Sequence, residues 1–216
     1  MAIKFDKVSR TFYLDGKDIT YAFFINEYDY AEHLYYGKTI GHDDLRYTRG
    51  TFGGSAVVKL SRSDVKTAVK SYNHFGSELT FHGTGDYREP MVEVVNPAGD
   101  RLTQLLYDSH EILSGKPAIK GMPSMRGGET LVLHLKAKVS CLACDLYYTV
   151  YEDTGVIARR AVYKNESKDV IMLNRAYSFA MTLPHMEYDV VSLYGCWAKE
   201  RKIDRIPMHH GVVSID

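Results

Sequence analysis

Along most of this chain apolar residues recur at every second position, and Gly, Asn, Asp or Pro breaks the run at short intervals. A period of two belongs to the β-strand, whose side chains point alternately to opposite faces. The clearest run is 130–139. Leu131, Leu133, Leu135, Ala137 and Val139 share one face, and Thr130, His134, Lys136 and Lys138 share the other. One face is therefore expected to be buried and one wet. Residues 145–151 form a second strand. Glu152-Asp153-Thr154-Gly155 is a turn, 156–163 a strand, 164–168 a polar turn and 169–181 another strand. Strands joined by such short turns form an antiparallel meander.

The amino-terminal half reads the same way. Residues 4–14 form a strand ended by Asp15-Gly16, a strong hairpin signal, and 19–25 pair with it. Met91–Val95 and Leu102–Asp108 flank a turn at Asn96-Pro97-Ala98-Gly99-Asp100. Residues 190–197 and 208–215 are the last expected strands. Helix is scarce. Ser63 caps a short candidate carrying Val65, Ala68 and Val69, and 30–36 fit either one helical turn or a strand. The expected fold class is all-β, an antiparallel β-sandwich with little helix, formed by residues 1–216 as one domain. A last strand with no closing turn leaves an edge unpaired, so the chain is expected to be part of a longer polypeptide.

Composition narrows the function classes. Lys+Arg and Asp+Glu both number 27, which gives no electrostatic reason to expect nucleic acid or an anionic membrane as partner. No apolar run approaches the roughly 18 residues of a membrane span. The start, Met1-Ala2-Ile3-Lys4-Phe5-Asp6, lacks a signal-peptide core, and three cysteines do not make a disulfide framework. A cytoplasmic location is expected. The 17 tyrosines fit a strand-rich fold and also the aromatic platforms of sugar-binding surfaces.

Local motifs offer little catalysis. Cys141-Leu142-Ala143-Cys144 lies between two strand runs without a second ligand pair, so it reads as buried or half-buried strand cysteines. His209 and His210 are adjacent and point to opposite faces of a strand, so they do not share an ion. His185 and Glu187 fall on one face without a third ligand. No metal and no cofactor is expected. No two carboxylates stand out as the facing pair that glycoside hydrolysis requires. Gly83-Thr84-Gly85-Asp86-Tyr87-Arg88-Glu89-Pro90 is the densest mixed motif, read locally as a glycine turn with an Asp–Arg ion pair.

With this motif the chain, over nearly its whole length, resembles the amino-terminal β-domain of bacterial α-galactosidases of glycoside hydrolase family 36. Segments similar to the family's run in order: His33-Leu34-Tyr35-Tyr36-Gly37-Lys38, Gly85-Asp86-Tyr87-Arg88-Glu89-Pro90, Ser109 to Pro117, Gly121-Met122-Pro123 and Glu129-Thr130-Leu131. Tyr148 to Arg160, Asn165 and Leu193 to Arg201 continue the series. The resemblance implies a β-supersandwich ahead of a catalytic (β/α)8 barrel and a small carboxy-terminal β-domain. It implies a retaining enzyme that removes terminal α-galactose, as from melibiose and raffinose, with both catalytic aspartates in the barrel. No catalytic residue carries over to this chain. Its implied roles are scaffold, contact in a homo-oligomer (a tetramer in the family), and a loop closing a neighbouring subunit's sugar pocket.

That loop corresponds to Arg46-Tyr47-Thr48-Arg49-Gly50-Thr51-Phe52. Arg46 and Arg49 supply donors for sugar hydroxyls and Phe52 a ring to stack on a sugar face. Gly50, Gly53 and Gly54 would make it mobile. Ser71 to Thr80 departs from the family's usual run, which leaves the preferred galactoside open. Structural roles are expected for Asp86 and Arg88, as a partly buried ion pair, and for Trp197, as a core aromatic with its N–H bonded. Two other readings compete. One is a free-standing carbohydrate-binding module, with exposed tyrosines as sugar platforms. The other is an aldose epimerase-like enzyme using His185 and Glu187.

Overall fold

The computed structural model describes residues 2–49, 76–83, 86–138, 140–183 and 187–215. The candidate helix at Ser63, Phe52 and the glycines beside it, and His185 lie outside the described residues. The chain forms two compact units, Met1–Thr182 and Leu183–Asp216.

Unit one is a sandwich of two four-stranded antiparallel sheets. The first sheet is β1 (Ile3–Asp6), β2 (Thr11–Asp15), β3 (Ile19–Ile25) and β4 (Ala31–Lys38), paired in sequence order. The expected strand over 4–14 is in fact two strands. Asp6 accepts from the Val8 amide and the Ser9 hydroxyl, and Arg10 takes a left-handed φ of 53°, which folds the run into a hairpin. Alternation alone does not show a reversal whose turn is made by a side chain. The Asp15-Gly16 turn stands where expected. A Cβ on Gly16 would lie 2.7 Å from the Cα of Gly155, so the turn closing β2–β3 touches the later turn at Glu152-Asp153-Thr154-Gly155. Residues 31–38 are strand, not helix.

After β5 (Val92–Val95) comes the second sheet: β6 (Leu105–Ser114), β7 (Glu129–Ala137), β8 (Leu142–Tyr151) and β9 (Val156–Asn165). The strands expected over 145–151 and 156–163 pair as expected, but the meander runs through β6 and β7 rather than on into 169–181; Leu131, Leu133, Leu135, Leu146, Tyr148 and Val150 are buried. They pack against Phe12, Leu14, Tyr21, Phe23 and Ile25 of the first sheet in one core. The Phe23 and Tyr148 rings stack across the layers at 5.3 Å. The meander stops at β9. The run expected over 169–181 is strand only at β10 (Met172–Ala176), and β10 pairs with β5. Alternation specifies which face a strand buries, while its partner is chosen by packing.

The outer face of the first sheet is covered too. Tyr13, Ala22 and Leu45 form a smaller cluster with Leu34, Tyr35 and Ile40 packed on it. This second burial explains why Thr11 to Leu14 are buried without alternation.

Unit two contains one antiparallel hairpin, β11 (Asp189–Cys196) and β12 (Lys199–Pro207). The strand expected over 208–215 is not formed, and β12 falls instead on a charged run whose alternation is masked by Lys and Arg.

Candidate functional site

The segment that covers the first sheet's outer face carries the loop singled out from the sequence. Asp44 caps a single 3-10 turn, Leu45–Thr48, by accepting from the Arg46 amide. Leu45 is its buried anchor, and the Tyr13 hydroxyl donates to the Asp43 carbonyl at 2.6 Å. The two arginines of this loop diverge. Arg46 is exposed and its Nε donates back to Asp44 at 2.6 Å, which holds the Asp44 carboxyl below its ordinary value. Arg49 turns into the protein. Its Nη2 donates to the Ser9 carbonyl at 2.5 Å and to Thr11 Oγ1 at 3.1 Å. Its guanidinium lies over the Phe24 ring at 3.8 Å. Arg49 thus fastens the loop to the sheet, while Arg46 and the exposed Tyr47 remain at the surface.

The Asp86–Arg88 turn has two-pronged geometry. Arg88 Nε donates to Oδ1 at 2.8 Å and Nη2 to Oδ2 at 2.7 Å, while the Arg88 amide also reaches Oδ1 at 3.0 Å. The Asp86 side chain is 4% exposed and that of Arg88 39%. This pair is well formed and half-wet.

Trp197 corrects the expectation of a core aromatic. It is 91% exposed, in the two-residue connection between β11 and β12. Ala198 takes a φ of 61° there, and a side chain at a hairpin tip has no opposing layer to pack on. The cysteines divide likewise. Cys144 is buried, which pushes its thiol up to about 12, whereas Cys141 and Cys196 are exposed. Glu187 is exposed, as are His209 and His210. Among the described residues no group of three or more His, Cys, Asp or Glu is placed to hold a metal ion.

A second constellation lies between the two sheets, where the sequence reading placed nothing. Glu78 is 1% exposed and sits between β3, β4, β8 and β9. The Tyr21 hydroxyl donates to both its oxygens, at 2.7 and 2.8 Å, and the Tyr148 hydroxyl donates to Oε2 at 2.7 Å. His33 Nδ1 stands 3.4 Å from Oε1. Arg159, with a side chain 5% exposed, approaches Oε2 at 3.9 Å and donates to the Glu78 carbonyl. Burial by itself pushes the Glu78 carboxyl up. His33, the Arg159 charge and the Tyr148 hydroxyl outweigh it and hold the group below its ordinary value. The same environment, burial first and the carboxylate next, raises Tyr21 well above the ordinary phenol range. A lone acid in Ser77-Glu78-Leu79 and an arginine inside strand β9 were the available signals. Neither shows its partner, because the pair is 81 residues apart.

Beside this cluster is a cavity of about 270 Å³, lined by Tyr21, Tyr36, Tyr148, Arg159, Phe179 and Met181 among others.

The remaining buried acids are also committed. Asp145 binds His134 Nδ1 at 2.7 Å and Lys164, and these partners overcome burial to keep it low. Glu32 accepts from Asn26 at 2.5 Å. A glycosidase acid needs the opposite, a carboxyl raised toward neutrality. The described residues therefore define an all-β sandwich domain whose buried acids hold structure together.

Comparison with known proteins agrees with this class. Residues 29–216 match the Glycosyl hydrolase family 36 N-terminal domain, and the chain belongs to that family. It is 32% identical to alpha-galactosidase Mel36A of Lactobacillus acidophilus over 220 residues, covering 97% of this chain and 29% of the relative. It is 29% identical to alpha-galactosidase AgaA of Geobacillus stearothermophilus, covering 30% of that protein. Among solved structures, the galactosidase domain of an alpha-galactosidase-sucrose kinase superposes with a TM-score of 0.89 at 27% identity, over 97% of this chain and 30% of that one. The alpha-galactosidase AgaB of Geobacillus stearothermophilus gives 0.88 at 28% identity, over 98% and 29%. The chain thus spans about 30% of the length of these relatives.

Proposed function

We propose that this chain is the non-catalytic amino-terminal β-supersandwich of an α-galactosidase, a retaining glycoside hydrolase that releases terminal α-galactose from oligosaccharides. The observation that carries the reading is the family match over 29–216, joined to a set of buried acids held low by structural partners. The chemistry is assigned to a (β/α)8 barrel in the same enzyme, followed by a small carboxy-terminal β-domain. Relatives from Geobacillus stearothermophilus have been crystallised with raffinose and with stachyose, which supports oligosaccharides of this class as substrates. The part played by this chain is scaffold, subunit contact in a homo-oligomer, and a loop toward a sugar pocket. In that loop Arg46 and Phe52 are the candidate sugar contacts, and Arg49 is the anchor that sets the loop's base. A cytoplasmic location belongs to the same reading, supported by three unbridged cysteines.

Hydrolysis of p-nitrophenyl α-galactoside and raffinose tests the proposal, comparing residues 1–216 with the complete product of the gene. Galactose release by the complete product alone is expected. Release by residues 1–216 alone, or by neither, overturns it.

A further inference from the structure

We propose that the tip of the β11–β12 hairpin, led by Trp197, seats in an acidic cleft on a second copy of this chain. The proposal rests on the homo-oligomer read above and names its contact. The first observation is an uncovered tip. Trp197 is almost wholly exposed, and Lys199, Arg201 and Lys202, next to it in sequence, are exposed and form no ion pair among the described residues. Leu193 and Ile203, paired in register below the tip, are largely exposed as well. A two-stranded hairpin is marginal by itself, and Trp and Arg beside apolar carbon are the residues that most often carry an interface. The tip is also preset. Glu200 Oε1 accepts from the Ala198 amide at 2.9 Å, and a Cβ on Gly195 would lie 2.3 Å from the Lys199 carbonyl oxygen. Little conformational entropy is left to lose on docking.

The matching surface is a cleft of about 790 Å³ at one end of the second sheet, where β6 ends, β7 begins and β8 turns toward β9. Its apolar walls are Ile112, Leu113, Met125, Val150 and Tyr151. Glu129, Glu152 and Asp153 line it too, against one cation, Arg126. An apolar and acidic cleft is the complement of an indole flanked by three cations. The cavity of about 270 Å³ near Glu78 has no acid in its lining, and one of about 490 Å³ beside Leu45 has only Asp43. The walls are preformed: the Gly115 amide donates to the Gly128 carbonyl at 2.9 Å and the Tyr151 hydroxyl to the Met125 carbonyl at 3.0 Å. Met125 adapts its flexible thioether to an entering ring.

Each copy owns one tip and one cleft, so a two-fold pair makes the contact twice. Two such contacts stand at the small end of specific interfaces, which sets the expected dissociation constant at tens of micromolar.

Trp197 is the only tryptophan in the chain, so its fluorescence reads the tip alone. The test follows emission and sedimentation of residues 1–216 from about 1 to about 500 μM. A monomer with a hydrated indole is expected at the dilute end, and a dimer with a blue-shifted indole at the concentrated end, weakening as salt rises. Trp197→Ala and, separately, Glu152→Lys with Asp153→Lys should each weaken association at least about tenfold. All three side chains are exposed, so the thermal midpoint should stay unchanged. The Trp197→Ala protein keeps its cleft and the lysine variant keeps its tip, so mixing them should restore the blue shift that the lysine variant lacks alone. A chain still monomeric at about 500 μM overturns the proposal, which is the outcome if other parts of a longer polypeptide cover the tip. A dimer indifferent to either set of substitutions, or a mixture without the blue shift, overturns it too. Galactoside hydrolysis enters none of these readouts, so failure of the enzyme reading is told apart from failure of this contact.

Discussion

Replacing Glu78 by Gln tests the buried centre of the sandwich. The amide keeps the shape and one acceptor, but it removes the charge that faces Arg159 and puts a donor against the hydroxyls of Tyr21 and Tyr148. A hydrogen bond to a charged group contributes about 1.5–3 kcal/mol, and breaking a buried ion pair costs about 3–5 kcal/mol. Arg159 keeps its bond to Ala180 and its contact with the Tyr148 ring, which argues for the lower end. The expected loss is about 3 kcal/mol, a large share of the 5–15 kcal/mol typical of a domain. Urea unfolding reads it as a lower midpoint at unchanged slope. Acidity gives a second reading. Folded Glu78 titrates below its ordinary 4.5, so its contribution is present above the unfolded value and is lost as pH falls through the folded one. Wild type should therefore lose more stability than Glu78→Gln between roughly pH 5 and pH 3. A loss under about 1 kcal/mol, with parallel pH profiles, would refute the assignment of Glu78 as the charged pin between the sheets.

Arg49→Ala should cost about 2 kcal/mol through its lost bonds to Ser9 and Thr11 and its stacking on Phe24, whereas Arg46→Ala should stay within about 0.5 kcal/mol. Thermal melts showing equal effects would contradict the division of the loop into anchor and free arm. Asp86→Ala should cost about 1–2 kcal/mol, since the half-exposed Arg88 keeps water as a substitute partner. Less than about 0.5 kcal/mol in urea titration would mean the pair does not hold its turn. Trp197 fluorescence from this chain should show the red emission and ready iodide quenching of a hydrated indole. A blue-shifted, protected signal would place the ring in a core after all.

Alternation and turn residues were enough to reach an all-β sandwich, most of its strands and the β8–β9 hairpin. These are local properties: period two sets the buried face, and Gly or Asp at short intervals sets the reversals. Ordered segments from His33 to Arg201 were enough to indicate the family. The local code ran short at β1–β2, where Asp6 and Ser9 build a turn without glycine or proline, and at β12, where Lys and Arg hide the pattern. It misplaced Trp197, because an aromatic beside a strand reads as core until the hairpin puts it at the tip.

The charged heart of the molecule, Glu78 with Arg159, Tyr21 and Tyr148, was decided by the tertiary structure alone. So was the inward turn of Arg49, and so was the pairing of β10 with β5. Each depends on residues far apart in sequence being brought within hydrogen-bond reach. Sequence spacing specifies which face a side chain takes, whereas the partner on that face exists only once the two sheets have closed on each other.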